Sequence, residues 1–405
     1  MRIIRGKLET AQFIDRRNRF VVECEQQGKR LTAYLANPGR LWELLVPKAT
    51  LYLKRYAGTA KIPYTVMAVE KEGVPIMLHT HLTNDVVEML LKKRLVPGLE
   101  DARIVRREAT FGDSRFDFLL TKKGKDFVLE VKNCTLFGDK LAMFPDAVTQ
   151  RGSRHLAGLL ELARQGVDAG VLFAVQWPHA RYFMPEYHTD FEFSKAFLKC
   201  RGALFVKAIG LTWRDDLSLD DCVKELVIPW EMIEGKVHDS GCYIVILRLE
   251  TDAEILVGGF GSKFFRKGYY LYAGSAKKAL SKRIERHQRL RKNLFWHIDY
   301  LREKASFSKG LAIRTSEEIE CALAHDLERI ADWAVPDFGS SDCSCRSHLF
   351  GMGTDPVKSF AFIEMLCKYR IRRVEDELRD QGSEVRDRVI DGETRSALPG
   401  GGDPV

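Results

Sequence analysis

Asp117, Glu130 and Lys132 are the side chains of this sequence whose types and spacing suit chemistry on a phosphate ester. They fall between Ser114 and Asn133, a stretch that reads as a β-hairpin. Phe116, Phe118, Leu119 and Leu120 on one side, and Phe127, Val128, Leu129 and Val131 on the other, have strand composition, and Lys122-Lys123-Gly124-Lys125 supplies the turn. Glu130 and Lys132 lie two apart, so on a strand they share a face while Val131 points away. Asp117 interrupts an apolar run on the partner strand and needs a partner of its own. Two carboxylates and a backbone carbonyl make an oxygen-rich site for Mg²⁺ or Mn²⁺, an ion that polarises a phosphodiester and acidifies a bound water. Lys132 would orient that water or neutralise the pentavalent charge. The plainer reading is a salt bridge on a strand face, since an Asp followed by Glu-x-Lys is a common pattern.

A second concentration of such residues spans 263–292. Lys263, Arg266, Lys267, Lys277, Lys278, Lys282, Arg283, Arg286, Arg289, Arg291 and Lys292 face few acids there. A run of this kind is usually a solvated face, and it is also the footprint of a phosphate-binding surface, so nucleic acid is the favoured partner, DNA ahead of RNA. Further on, Cys343-x-Cys345-x-x-His348, with Cys321 upstream, offers zinc-ligand types. Its spacing is irregular and only two strong ligands are local, so packed thiols in a closing loop are expected instead.

These groups must be positioned by more than one core. The chain has 405 residues, 45% of them hydrophobic, which suits two or three globular domains. The net charge of +8, from 64 Lys and Arg against 56 Asp and Glu, is modest and matters for where it lies. Nine cysteines, scattered through apolar settings, fit reduced thiols rather than a disulfide framework. Nothing at the start reads as a signal peptide and no apolar run approaches the ~20 residues of a membrane helix, so a cytoplasmic protein is expected.

Around the hairpin the pattern predicts a helix over Leu82 to Leu95, a strand over Ala102 to Ala109, a helix over His155 to Gln165 and a buried strand over Ala169 to Val175. Residues 1–80 carry five short strand candidates and a small helical insert at Arg40 to Leu45, as in an OB-like barrel. From Gly241 a new strand begins, followed by another over Gly268 to Ser275 and a helix bearing Leu280, Ile284 and His287. From about 368 the chain is charged and then rich in Gly and Pro, and residues 369–405 are expected to be a disordered tail.

The order α-β-β-β-α-β around Asp117 and Glu130-x-Lys132 resembles the PD-(D/E)XK nuclease fold. Closer blocks are Arg106-Arg107-Glu108, Ser114 to Leu120, Leu129 to Leu136, Phe144-Pro145-Asp146 through Arg151-Gly152 to His155-Leu156, and Asn37-x-Gly39-Arg40-x-x-Glu43-Leu44-Leu45. Together they resemble the sugar fermentation stimulation protein family over roughly the first 230 residues, with Pro38 a slight departure. Gly241-Cys242-Tyr243 and Tyr272-Ala273-Gly274, followed by Arg283 and His287, resemble the GIY-YIG nuclease fold. Phe295 to Leu301, Glu320-Cys321 and Gly339 to Phe350 resemble a small family also found attached to endonuclease III.

The resemblances imply a multidomain α/β and β chain: an OB-like barrel at 1–80, a restriction-endonuclease-like α/β domain at 81–235 and a GIY-YIG-like α+β domain at 236–368. They imply a metal on Asp117 and Glu130 and, in the last domain, a metal on Glu320, tyrosines Tyr243 and Tyr272 at the reacting water and Arg283 on the phosphorane. Arg40, Arg115, Arg151, His155, Lys282 and Arg286 are the expected nucleic-acid contacts. The expected function is that of a DNA-binding nuclease dependent on Mg²⁺ or Mn²⁺, with a homodimer expected where both strands are cut. The alternative is a DNA-binding regulator of sugar metabolism genes without turnover. No paired acid and base of a sugar-acting enzyme stands out.

Overall fold

The computed structural model describes residues 1–380 apart from 2, 5, 57–60 and 113. At the N-terminus, β1 (Leu8–Asn18), β2 (Val21–Gln26), β3 (Lys29–Leu35), β4 (Thr50–Arg55), β5 (Tyr64–Lys71) and β6 (Val74–Met77) run in the order β3-β2-β1-β4-β5-β6. A parallel pairing of β3 with β5 closes the first five strands into a barrel. Its interior is filled by alternate residues, as the strand repeat demands: Ala11 and Phe13, Val22 and Cys24, Ala33 and Leu35, Leu51 and Leu53 are all buried. The helical insert expected at Arg40 to Leu45 is a single turn, in which the Leu41 carbonyl accepts from the Leu44 and Leu45 amides. Leu41 is left-handed (φ 53°) and Pro47 follows, so no second turn forms.

The central domain contains α1 (Thr83–Lys92), β7 (Arg103–Phe111), β8 (Ser114–Lys122), β9 (Lys125–Cys134), β10 (Leu136–Phe137), β11 (Leu141–Phe144), α2 (Gln150–Arg164), β12 (Asp168–Val175), β13 (Tyr182–Pro185), α3 (Phe191–Leu198), β14 (Phe205–Gly210), β15 (Lys224–Glu225) and α4 (Trp230–Lys236). Its main sheet has the order β15-β14-β12-β9-β8-β7, and β10, β11 and β13 form a small second sheet. β12 lies parallel to both neighbours and is covered on both faces, which explains its unbroken apolar run. One face packs Val128, Val171 and Phe173 with Leu156 and Leu159 of α2. The other packs Phe118, Leu129 and Leu172 with Val86, Val87 and Leu90 of α1. α2 starts earlier than its apolar periodicity suggests because the Thr149 hydroxyl caps the Gly152 amide at 3.0 Å.

The C-terminal domain is built from β16 (Gly241–Leu249), β17 (Ala253–Leu256), β18 (Ser262–Phe265), β19 (Gly268–Ala276), α5 (Leu280–Gln288), α6 (His297–Lys304), β20 (Ser306–Arg314), α7 (Glu320–Ile330), β21 (Trp333–Ala334), β22 (Leu349–Met352) and α8 (Phe360–Cys367). The antiparallel sheet runs β20-β16-β19-β22-β21, with β17 and β18 as a separate hairpin. Strand alternation sorts its two faces. Ile244, Ile246 and Leu271 pack under α7 and α8, whereas Tyr243, Val245 and Tyr272 pack with Leu280 of α5 and Leu301 of α6.

The chain continues past α8 through a π-helical turn, Lys368–Arg372, into α-helix over 373–380. This overturns the tail expected from 369, at least as far as 380; residues 381–405 of that tail lie outside the described residues. Ile371, Val374 and Leu378, spaced by three and four, form a narrow apolar stripe that joins the core of the central domain. Glu375 accepts hydrogen bonds from the Lys140 and Leu141 amides at 2.7 and 2.8 Å. Ending the chain after Arg372 should therefore lower stability by about 3 kcal/mol or more, from two lost apolar anchors. Urea denaturation of the truncated chain checks this, and an unchanged midpoint would mean that the helix merely rests on the surface.

A buried polar junction joins the central and C-terminal domains. His188 Nδ1 accepts from the Arg314 amide at 2.8 Å, so Nε2 carries the proton and donates to the Arg370 carbonyl at 3.1 Å. Burial, then the charges of Arg370 and Arg314, hold this imidazole well below the usual histidine range. Below about pH 6.5 the unfolded chain takes up a proton here that the folded chain refuses, so stability falls as pH drops, by up to about 1.4 kcal/mol per pH unit. Urea midpoints between pH 7 and pH 5 should decline, and less steeply in His188→Asn; equal slopes would clear His188 of the effect.

Candidate functional site

β8 and β9 meet with Phe118 opposite Leu129, which sets Asp117 against Glu130 across the hairpin. Asp117 Oδ2 accepts from the Val131 amide at 2.8 Å, and Oδ1 accepts from Asn84 Nδ2 of α1 at 2.7 Å. Glu130 Oε1 is bonded to both Lys132 Nζ and His155 Nδ1. Arg151 Nε in turn donates to His155 Nε2 at 3.2 Å, one helical turn away. Glu130 is 3% exposed, and its second oxygen, Oε2, is buried with no hydrogen-bond partner.

The electrostatics of the pair are opposed. Burial and then the Glu130 charge push the Asp117 carboxyl above its ordinary range, although the Val131 amide and Asn84 work against this. Burial also penalises charged Glu130, but the bond from His155 and the charge of Lys132 outweigh it and hold its carboxyl below the ordinary range. A buried and a half-buried carboxylate with one orphan oxygen are what a small divalent cation would relieve, and their hard oxygen donors fit Mg²⁺ or Mn²⁺. Asn84 had no signature in the sequence, where it is one polar residue in the first turn of a helix.

The expected nucleic-acid contacts divide. Arg115 is exposed on β8 with a loose ion pair to Glu108 at 3.6 Å, and Lys282 is exposed on α5. Arg151 and His155 are tied to Glu130 as described. Arg40, expected to contact nucleic acid, is engaged by the protein itself: its guanidinium bonds the Asp146 carbonyl and Thr189 Oγ1 (2.8 Å) and lies over Trp42, joining barrel to central domain. It lines a cleft of about 930 Å³ between the three domains, with Arg16, Lys309 and Lys358. Arg286 is likewise committed internally. It bonds both oxygens of buried Asp299 at 3.1–3.2 Å and stacks on Trp296, while Lys292 reaches the same carboxylate at 2.6 Å. Burying Asp299 requires those cations, so two members of the basic run are spent on it.

In the C-terminal domain Tyr243 and Tyr272 sit on adjacent strands, 6.4 Å apart between ring centres, and His287 of α5 approaches both. The Tyr243 hydroxyl lies 2.9 Å from His287 Nε2. Gly274 permits this, because a Cβ there would fall 2.5 Å from the Tyr243 hydroxyl. Burial pushes the Tyr243 hydroxyl well above its ordinary range and His287 down to about 3, so the tyrosine is protonated and the imidazole neutral. Arg283 stacks on Trp296, and Glu320 opens α7 with its carboxylate 3.2 Å from His348 Nδ1. His287 was legible in the sequence as an apolar-face position, but its tyrosine partner was not.

The first two domains have named counterparts. The sugar fermentation stimulation protein RE domain matches residues 81–214, the SfsA N-terminal OB domain matches 14–78, and a domain of unknown function, DUF123, matches 242–369. A sugar fermentation stimulation protein homolog of Clostridium tetani is 36% identical over 203 residues, 50% of this chain and 88% of that protein. One from Methanothermobacter thermautotrophicus is 36% identical over 222 residues, 55% of this chain and 90% of that protein. The structure of Pyrococcus furiosus SfsA in complex with Ca²⁺ superposes with a TM-score of 0.52 at 29% identity, covering 56% of this chain and 99% of that one. No helix among the described residues is long and apolar enough to cross a membrane. Barrel, central α/β sheet and sequence blocks thus agree, and the chain belongs to the sugar fermentation stimulation protein family, with a DUF123 domain following the part that its relatives share.

Proposed function

We propose that this chain is a DNA-binding nuclease that uses Mg²⁺ or Mn²⁺ on Asp117 and Glu130 of a PD-(D/E)XK-type central domain. The observation that carries this reading is the buried, unpartnered Oε2 of Glu130, facing the same hairpin as Asp117 and Lys132. The Ca²⁺ in the Pyrococcus furiosus relative supports an oxygen-ligated cation in this domain pair. When bound, such a cation polarises the phosphodiester and acidifies a water. The Val131 amide and Asn84 fix the Asp117 carboxylate, and His155, braced by Arg151, fixes that of Glu130. Lys132 Nζ then presents positive charge where the phosphate gains negative charge in the transition state.

The DUF123 domain is read as a GIY-YIG-like second site. There the Tyr243 hydroxyl donates to His287 Nε2, Tyr272 packs beside both rings, Arg283 would face the phosphate and Glu320 would offer a carboxylate to a metal. Exposed Lys277, Lys278, Lys282, Arg289 and Arg291, with Phe295 and Leu290 open to solvent among them, give a charged face with an aromatic platform for bases. The test is cleavage of labelled single- and double-stranded DNA and RNA by the full chain with and without Mg²⁺ or Mn²⁺, with binding recorded alongside. Tight binding with no metal-dependent cutting of any substrate would refute the nuclease and leave a DNA-binding regulator.

A further inference from the structure

We infer that Cys321, Cys343, Cys345 and His348 form a zinc site that ties the loop between β21 and β22 to the start of α7. Sequence spacing offered only two strong local ligands, and the fold supplies the rest. Cys321 is the second residue of α7, Cys343 and Cys345 lie in the loop, and His348 immediately precedes β22. Their four ligand atoms all lie within 4.8 Å of one another, and His348 Nε2 is 3.4 Å from Cys343 Sγ. A tetrahedral site with the usual zinc bond lengths has S···S edges of about 3.8 Å and S···N edges of about 3.5 Å. The cluster is therefore already close to the shape of a Cys₃His site.

The histidine is oriented for the task. Its Nδ1 faces Glu320 Oε1 at 3.2 Å, so that nitrogen carries the proton and Nε2 turns a lone pair toward the sulfurs. A carboxylate behind the imidazole is the usual outer partner of a zinc-bound histidine, fixing its tautomer and raising its basicity. Binding replaces three thiol protons, released to solvent, with three sulfur–zinc bonds; no electron moves.

The loop needs such a staple. Residues 335–348 contain no regular helix or strand, yet they hold buried Phe338 and press Gly339 against Tyr272. A connection of that length without structure of its own is uncommon in a compact domain. Soft thiolates with one imidazole select zinc over the hard cations suited to Asp117 and Glu130. The ion would also hold Glu320, through His348, in place at the start of α7. The inference stands without the nuclease reading, because it concerns the metal content of the chain.

Full-length protein purified under reducing conditions should contain about one zinc per chain. Cys321→Ser, at an exposed position that tolerates change, and His348→Ala should each lower retained zinc about tenfold or more after dialysis against chelator. Chain stripped of metal and reloaded with Co²⁺ should show the intense visible bands of tetrahedral thiolate cobalt, a readout on wild type that does not depend on any variant folding. Zinc-free protein that gives no such spectrum, or a disulfide linking two of the three cysteines in the freshly isolated chain, would overturn the site.

Discussion

Lys132→Ala should lower metal-dependent cleavage by about 10³-fold while binding of the same nucleic acid changes by less than about threefold. The ammonium lies inside the hairpin, bonded to Glu130, and contributes most where the phosphate carries extra negative charge. Its removal therefore acts on the transition state more than on the bound substrate. Glu130→Gln should be at least as severe, since it removes the charge that holds a cation and leaves His155 without its anionic partner. Single-turnover rates with saturating Mn²⁺, beside gel-shift affinities, separate the two effects. Cleavage surviving in both variants would move the activity to the C-terminal domain, where loss in Tyr243→Phe or Glu320→Gln would then be sought. The central assignment would have failed.

Arg314→Ala should destabilise the chain by about 3 kcal/mol, among the largest effects of any single polar truncation in it. Its guanidinium donates to the Tyr187 and His188 carbonyls at 2.8 and 2.6 Å, to Asp239 Oδ1 at 3.1 Å and to Ser281 Oγ at 2.8 Å. Truncation strands two carbonyls of the central domain and the carboxylate that, through Ser281, caps α5 of the C-terminal domain. Arg314→Lys keeps the charge but lacks the fork, so it should recover only part of the loss. Urea denaturation gives the magnitude, and proteolysis near 236–240 should accelerate in Arg314→Ala. A change below about 1 kcal/mol would mean that water from the adjoining cleft replaces the guanidinium at those carbonyls.

The hairpin bearing Asp117 and Glu130 was legible because its information is local. A period of two fixes which residues share a face, and Lys123-Gly124 fixes where the chain turns. The same held for the strand over 169–175 and for the two strands that begin at Gly241 and Gly268. The helix ends and the 40–45 turn were less legible, because a cap from Thr149 and a left-handed Leu41 outweigh apolar periodicity.

What two of the expected cations do was not legible. Arg40 and Arg286 look in sequence like cations awaiting phosphate, yet each neutralises an aspartate, Asp146 or Asp299, that the fold has removed from water. The helical stretch over 368–380 hid in a charged segment because three apolar residues, Ile371, Val374 and Leu378, suffice once a groove on the central domain is there to receive them. The sequence by itself determined residue types, strand faces and the turn between two carboxylates, since these depend on neighbours within a few residues. Only the tertiary structure brought Asn84 to Asp117, His155 to Glu130, His287 to Tyr243 and Cys321 to Cys343, because those meetings depend on which faces of distant elements pack together.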